Sequence, residues 1–419
     1  NPWEGAFSGY CTVIHDDDRY RLYYRGLPVA GADGSANEST CYAESDDGIH
    51  WSKPQFDYYP DESGEGTNRV IANAAPDTHN ISPFLDANPD ADPSARFKAI
   101  GGVAGSGLRA YVSADGTNWK LLREEPVFNV PGWVFDSQNL CFWSAAEKRY
   151  VLYYRVVPDG VRAIARTTSI DFLNWSEPEV MTYSDTGGPQ PSHHLYTNQT
   201  QPYFRAPHIY ISTAARFMPG RRVIGEEEAK RIGVHGGYFG DTSDAVLMSS
   251  RGGSHYDRTF MTALIRPGIG AENWVSRTNY PALNIVQTSD TEMSLYVNQN
   301  YGQPSSHLRR YIFRLDGLAS LRGPYEGGAM VTKPVAFAGD ELTLNFATSA
   351  AGSVWVELQD VDGEPIEGFA KDDCDTIIGN DLRRTVTWMG QSDVSQFAGK
   401  PVRLRFVLED ADLYSWKFE

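Results

Sequence analysis

The chain has 419 residues, 41% apolar and 12% aromatic, with a formal net charge of −17. That length leaves room for two globular units, each with a core of its own. The acidity argues against nucleic acid and anionic membranes as partners, and no apolar run is long enough to form a membrane-spanning helix.

The predicted elements are almost all strands, short alternating or apolar runs separated by Gly, Pro, Asn and Asp. Residues 8–15, 20–25 and 41–45 form a first set. They run into a turn carrying Ser45, Asp47, Gly48 and Trp51. Residues 79–86, 96–102 and 109–113 repeat the set, followed by Ser113, Asp115, Gly116 and Trp119. Residues 136–143, 149–155 and 163–169 repeat it again, ending in Ser169, Asp171 and Trp175. Weaker copies are 196–204, 208–214 and 245–250, then 277–286, 292–298 and 309–314 with an eroded turn at 314–317. Asp-Gly supplies the tight turn, because Gly accepts positive φ and Asp bonds its own backbone. The aromatic residue then opens a fourth strand. Four-stranded units recurring about an axis make a β-propeller, and five copies predict five blades over residues 1–333. A β-sandwich with similar hairpins is the alternative, but it does not explain why three strands and a turn recur in phase.

Helical periodicity is confined to 226–232, inside a long loop from 218 to 244 of the kind that shapes a site or lid. After Pro334 the repeat stops. Residues 341–347, 353–359, 385–388, 402–408 and 413–418 alternate apolar and polar and predict a separate antiparallel β-sandwich over 334–419. The fold class is therefore all-β. Bracing the propeller is the plain role for the sandwich, and no exposed aromatic row supports glycan binding there. Cys11, Cys41, Cys141 and Cys374 fall in no Cys-x-x-Cys or Cys/His cluster, which predicts free buried thiols and no structural zinc. No cofactor and no metal are expected, and the sequence leaves the oligomeric state open.

The near-copies at 20–25 and 150–155, with the turns at 45–51, 113–119 and 169–175, resemble the five-bladed propeller glycosidases, glycoside hydrolase families 32, 43, 62, 68 and 117. The appended sandwich resembles the layout of the fructan-cleaving members. The motifs are blade motifs and do not specify a sugar. The Asn-Asp-Pro-Asn-Gly box, Arg-Asp-Pro and the Glu-Cys pair of invertases are absent, which disfavours an ordinary fructosidase. The resemblance implies an exo-acting glycosidase on a polysaccharide or oligosaccharide, with a glycoside phosphorylase or a non-catalytic glycan-binding propeller as alternatives. Secretion or a periplasmic location follows from that role. Asn1 in place of Met fits either a removed signal peptide or a trimmed chain.

In such propellers the innermost strands line a central funnel, and glycoside cleavage needs two carboxyl groups, one protonated and one ionised. The acids at the starts of the first three inner strands are Glu4, Asp77 and Asp136. By the resemblance they are base or nucleophile, stabiliser and acid. Each has a plainer reading, since Asp commonly caps strands and turns and Glu4 lies near a terminus. The polar neighbours His79, Asn80, Gln138, Asn139 and Asn198 suit sugar hydroxyls. Asp244 faces the funnel or caps a strand. Arg205 and Arg277 suit a carboxylate or sulfate on an acidic sugar, or serve as ordinary sheet-edge residues.

Overall fold

The structure, a computed structural model, describes residues 1–17, 19–31 and 33–419. The chain divides into two compact units, one of Asn1–Thr288 with Ser294–Tyr311, the other of Ser289–Met293 with Ile312–Glu419.

The first unit is built from antiparallel sheets taken in chain order. The first sheet runs Gly9–Asp16, Arg19–Gly26, Ser39–Ser45, Arg69–Ile71. The second runs Ser82–Leu85, Phe97–Val103, Gly107–Ser113, Lys120–Leu121. The third runs Leu140–Ser144, Arg149–Val156, Ala163–Ser169, Glu179–Val180. In the fourth, His194–Thr197 and Thr200–Tyr203 both pair with Ala206–Met218, followed by Thr242–Ser250 and Ala263–Ile265. The single strand expected at 196–204 is thus broken at Asn198 and Gln199, where Gln199 takes φ 47°. The fifth contains Tyr280–Pro281, Val286–Gln287, Glu292–Gln299 and His307–Arg314.

The inner strands neighbour one another in sequence order, and the last returns to the first. At the seam the Val13 amide donates to the Leu283 carbonyl (3.0 Å) and the Leu283 amide to that of Cys11 (2.8 Å). Sheets radiating from a closed ring of inner strands are the blades of a propeller. Apolar side chains between blades fill the rest: Phe84, Phe135, Tyr154 and Phe172 pack in one such layer, Tyr153, Tyr183, Tyr210 and Tyr256 in another.

The repeated turn has one hydrogen-bonding scheme. Ser45 Oγ accepts from the Gly48 amide (2.9 Å) while Asp47 Oδ1 accepts from the amides of Ile49 and His50 (2.7 and 2.8 Å). Ser113 and Asp115 do the same for Gly116, Thr117 and Asn118. Gly48 and Gly116 take φ 70° and 79°, and a Cβ on Gly116 would meet Tyr23 Oη at 2.7 Å. In the third copy Phe172 occupies this left-handed position, at φ 65°. Strain of about 1 kcal/mol is offset by burying the ring among Phe84, Tyr150 and Trp175.

All four cysteines are free and buried, and the helix is Glu226–Arg231. The second unit is a β-sandwich around Leu344, Phe346, Val356, Leu358, Trp388 and Phe406. Its hydrogen-bonded order is Leu321–Gly323, Arg403–Phe418, Leu342–Gln359, Asn380–Thr385, with Gly328–Val331 also on Arg403–Phe418. The expected pairs 341–347/353–359 and 402–408/413–418 are therefore two long strands, each bent once. The bend pairs Gly352 closely with Asp410: a Cβ there would lie 2.3 Å from the Asp410 carbonyl oxygen. Small residues at 349–352 read as a turn but make a bulge. The strand expected at 385–388 ends at Thr385, and Trp388 instead buries its ring and donates from Nε1 to the Val356 carbonyl (2.8 Å).

Candidate functional site

In an antiparallel blade the inner strand starts at the end where the second strand stops and the third begins. Loops between second and third strands therefore border the inner-strand starts. In the second blade this loop is a tight turn between Val103 and Gly107. In the first blade it spans 27–38, and in the fourth 219–241. The fourth-blade loop reaches the fifth and first: Tyr238 packs its ring against Tyr301 (5.6 Å) and Phe7 (5.6 Å). A left-handed residue also recurs at these inner strands, namely Tyr10, Asn80, Phe135, Gln199 and Asn279. Such kinks re-aim the adjoining side chains and concentrate at functional sites.

At this end Asp33, His79 and Asp136, from three different blades, each bring one polar atom within 4.8 Å of the others. Asp33 comes from the first-blade loop. Half of its side chain (53%) is exposed, yet Oδ1 lies 3.8 Å from Nε2 of the buried His79. Burial first, then the charge of Asp136 and a hydrogen bond to it, push the Asp33 carboxyl above the usual carboxylate range. Asp136 accepts from Arg155 Nη2, which pairs its negative charge and fixes its orientation. Behind His79, the fully buried Glu38 faces Nδ1 at 3.0 Å, and the Gly34 amide lies 3.2 Å from the same nitrogen. A hydrogen bond to Glu38 orients the imidazole and leaves Nε2 toward Asp33 and the Asn80 amide (2.9 Å).

Arg25 and Arg155 touch this group, and Arg277 shares aromatic partners with them. Arg25 donates to Asn80 Oδ1 (3.0 Å) and Tyr301 Oη (2.8 Å), lies 3.8 Å from Glu38, and stacks on Tyr10 (4.6 Å). Arg155 stacks on Tyr196 (4.6 Å). Arg277 stacks on Tyr238 (5.0 Å), Tyr196 (5.6 Å) and Tyr301 (5.8 Å). Arg25 and Arg155 end the two near-copies at 20–25 and 150–155, so the repeated arginine serves the site as well as the blade. Trp133, 58% exposed and three positions before Asp136, is stacked by Arg162 (5.4 Å), which also covers Tyr196 (5.2 Å).

The other expected acids lie elsewhere. Glu4 is enclosed by Lys53 (2.8 Å), Tyr24 (2.5 Å) and Asn68 (3.2 Å). Burial opposes ionisation, but these partners hold its carboxylate below the usual range. Asp77 is bound by Arg109 (2.8 Å) and Tyr111 (2.7 Å) on the third strand of its own blade. Neither joins the Asp33–His79–Asp136 group. Gln138 and Gln199 tie the ring together: Gln138 Nε2 donates to the Tyr10 carbonyl (3.0 Å), and Gln199 Nε2 to Gln138 Oε1 (2.7 Å) and the Pro281 carbonyl (2.9 Å). Asn139 Nδ2 donates to the carbonyls of Phe135 and Ser137 (both 3.3 Å), and Asn198 Oδ1 accepts from the Thr200 amide (3.1 Å). Asp244 pairs with Arg216 across two strands (2.6 and 2.8 Å). Arg205 sits exposed in the turn between Thr200–Tyr203 and Ala206–Met218. Asp33, Glu38, Arg25 and Arg155 were the residues that sequence reasoning missed. The signals available were the length of the 27–38 loop and the recurrence of a second-strand arginine.

Two carboxylates and an imidazole are the donor types of a divalent metal site. Arg155 donates to Asp136 Oδ2 and the Asn80 amide lies 2.9 Å from His79 Nε2, so the group is hydrogen-bonded as it stands.

No protein-family model and no curated protein matches the sequence. Among solved structures, the chain is similar to an N-acetylgalactosamine deacetylase from F. plautii in complex with blood group B trisaccharide. The identity is 13% over 76% of this chain and 92% of that one, with a TM-score of 0.49. It is also similar to a glycoside hydrolase family 43 arabinoxylan arabinofuranohydrolase from Bacillus subtilis, at 13% identity over 100% and 96% of the two chains and a TM-score of 0.46. A fructofuranosidase from Schwanniomyces occidentalis gives 11% identity, 97% and 93% coverage and a TM-score of 0.39. At these values the reading of function rests on the site itself.

Proposed function

We propose that the propeller is a glycosidase whose acid and nucleophile are Asp33 and Asp136. The observation that carries this reading is the carboxyl pair, with oxygens within 4.8 Å and the Asp33 carboxyl raised by burial and by its neighbour. That spacing falls short of the about 6.5–9.5 Å at which inverting enzymes hold their carboxyls apart for a water, which favours retention. Asp136, held by Arg155, attacks the anomeric carbon while Asp33 gives its proton to the departing glycosidic oxygen. Water then loses a proton to Asp33 and cleaves the glycosyl ester, restoring both groups. The roles thus differ from those implied by family resemblance, which made Asp136 the acid. His79, held by Glu38, lies against Asp33 with Nε2 3.8 Å from Oδ1, and the exposed Trp133 offers a flat face to a neighbouring sugar ring.

Loops 27–38 and 219–241 beside the inner-strand starts favour attack on a chain end over attack within a chain. We propose a location outside the cytoplasm, where a polymeric substrate is met. The test is product analysis on a panel of oligosaccharides and aryl glycosides. Wild type is expected to release a sugar whose anomeric configuration is retained, and Asp136→Asn to release none, with activity partly rescued by azide as an α- or β-glycosyl azide. Inverted product, or full activity in Asp136→Asn, overturns the reading.

A second reading, phosphorolysis at the same carboxyl pair, is favoured by the guanidinium groups of Arg155 and Arg25 at the site and of Arg277 on the same Tyr196 and Tyr301 rings.

A further inference from the structure

Of the three arginines, two are matched by acids. Arg25 lies 3.8 Å from Glu38, and Arg155 pairs with Asp136. Arg277 is different. Among the described residues no carboxylate pairs with it, and its one polar contact is the Tyr238 hydroxyl at 3.3 Å. The rings of Tyr196, Tyr238 and Tyr301 enclose its guanidinium. Placing a partly buried cation without a counter-charge is costly. Its backbone adds to the cost, because Arg277 takes φ 59°, a left-handed conformation that L side chains other than Asn and Asp rarely adopt. Asn279, two residues on, is left-handed as well.

A buried donor without a partner lies nearby. Arg155 stacks on the same Tyr196 ring as Arg277, and its Nη1, in a side chain only 3% exposed, has no partner among the described residues. Strained backbone and unmatched buried donors persist where a ligand supplies what the chain does not. Arginine in a fixed aromatic setting suits planar or tetrahedral oxyanions, to which it donates two parallel hydrogen bonds.

We infer that the site takes an oxyanion against Arg277, beside the Asp33–Asp136 pair. This rests on the glycosidase reading for its place in the reaction but not for the binding itself. The oxyanion has two chemical sources. It is a carboxylate or sulfate carried by the sugar, which makes the substrate an acidic glycan. Alternatively it is inorganic phosphate, whose oxygen bonds to the anomeric carbon as the glycosidic C–O bond breaks and the leaving oxygen takes the Asp33 proton, giving a sugar phosphate.

The test uses the full chain. Calorimetric titration with sodium phosphate, sodium sulfate and sodium glucuronate is made on wild type, Arg277→Gln and Arg277→Lys. At least one anion is expected to bind wild type, with affinity falling about tenfold or more in Arg277→Gln. Arg277→Lys keeps the charge without the fork and is expected to bind more weakly than wild type. It decides the matter should Arg277→Gln fail to fold. Equal affinity in a folded variant, or no binding of any of the three to wild type, overturns the inference. Turnover of paired aryl hexosides and hexuronides, with and without phosphate, separates the sources. Preference for the uronide assigns the anion to the sugar, and phosphate-dependent release of a sugar phosphate assigns it to the co-substrate. Glycoside cleavage with anion binding indifferent to Arg277 sinks this inference alone. Anion binding through Arg277 with no glycoside cleaved sinks the glycosidase reading alone.

Discussion

Asp33 and Asp136 meet from the first and third blades, bringing an oxygen of each carboxyl within 4.8 Å of the other. Like charges this close resist simultaneous ionisation. Asp33, raised by burial and by Asp136, keeps its proton above the usual carboxylate range.

Activity is therefore expected to hold at acid pH and to fall as pH climbs through the raised Asp33 value. Asp33→Asn removes the acid and lowers kcat by about 10²–10⁴-fold. In Asp136→Asn the neighbouring charge is gone, and carboxyl NMR titration should find Asp33 moved back toward an ordinary aspartate. An Asp33 titration unchanged in that variant would remove the coupling from the argument. The linkage sign is unfavourable for folding: a raised acid gives stability below its unfolded value that is lost as pH rises through the folded one.

Glu38 acts through His79. Glu38→Gln keeps the shape of the side chain but removes the buried charge facing Nδ1. A loss in kcat of up to about 10²-fold with little change in KM is expected, together with a shift in the imidazole nitrogen resonances of His79. A variant with wild-type kcat and a displaced imidazole signal would show that the orientation of His79 does not matter to the reaction.

Glu4 is expected to contribute to stability through its partners. Its carboxylate is held below the usual range by Lys53, Tyr24 and Asn68, so its contribution is present above the unfolded value and lost as pH falls through the folded one. Glu4→Gln is expected to cost about 1 kcal/mol near neutral pH, because Lys53 is half in solvent. The difference should close in acid. Chemical denaturation at two pH values measures it, and an equal deficit at both would contradict the ion pairing.

Phe172 sets two opposed effects against each other. Phe172→Gly relieves a left-handed backbone but removes a buried ring packed on Phe84, Tyr150 and Trp175. The cavity outweighs the strain, and unfolding free energy is expected to fall by about 2–4 kcal/mol. A stabilised variant would show that the backbone conformation dominates.

The blades were legible because their signals are local. The Ser–Asp–Gly turn is written within seven residues, and alternation marks the strands on either side, as at Tyr20 and Tyr150. The site was half legible. His79, Asn80, Asp136 and Arg277 stand at inner-strand starts, where position alone predicts them. Glu4 and Asp77 carry the same signal, but their side chains turn to Lys53 and to Arg109 within reach of their own strands. Spacing along a chain does not record that choice. Asp33 and Glu38 lie in an irregular loop rich in Gly, Ala and Ser, which reads as a plain connection until Asp136 and His79 arrive from other blades. Gly352 illustrates the same limit in the sandwich, since a small residue marks a turn and a bulge alike.

The seam between Cys11, Val13 and Leu283 has a consequence for biogenesis. On a ribosome, the first three blades emerge with Asp33, His79 and Asp136 already synthesised, yet Arg277 and Tyr301 come some 140 residues or more after Asp136. The partner of the first inner strand is likewise among the last pieces of the propeller made. A nascent chain therefore waits with an unpaired edge until the fifth blade appears, a non-local closure of the kind that slows folding. Nonsense truncation anywhere before Leu283 leaves that edge open.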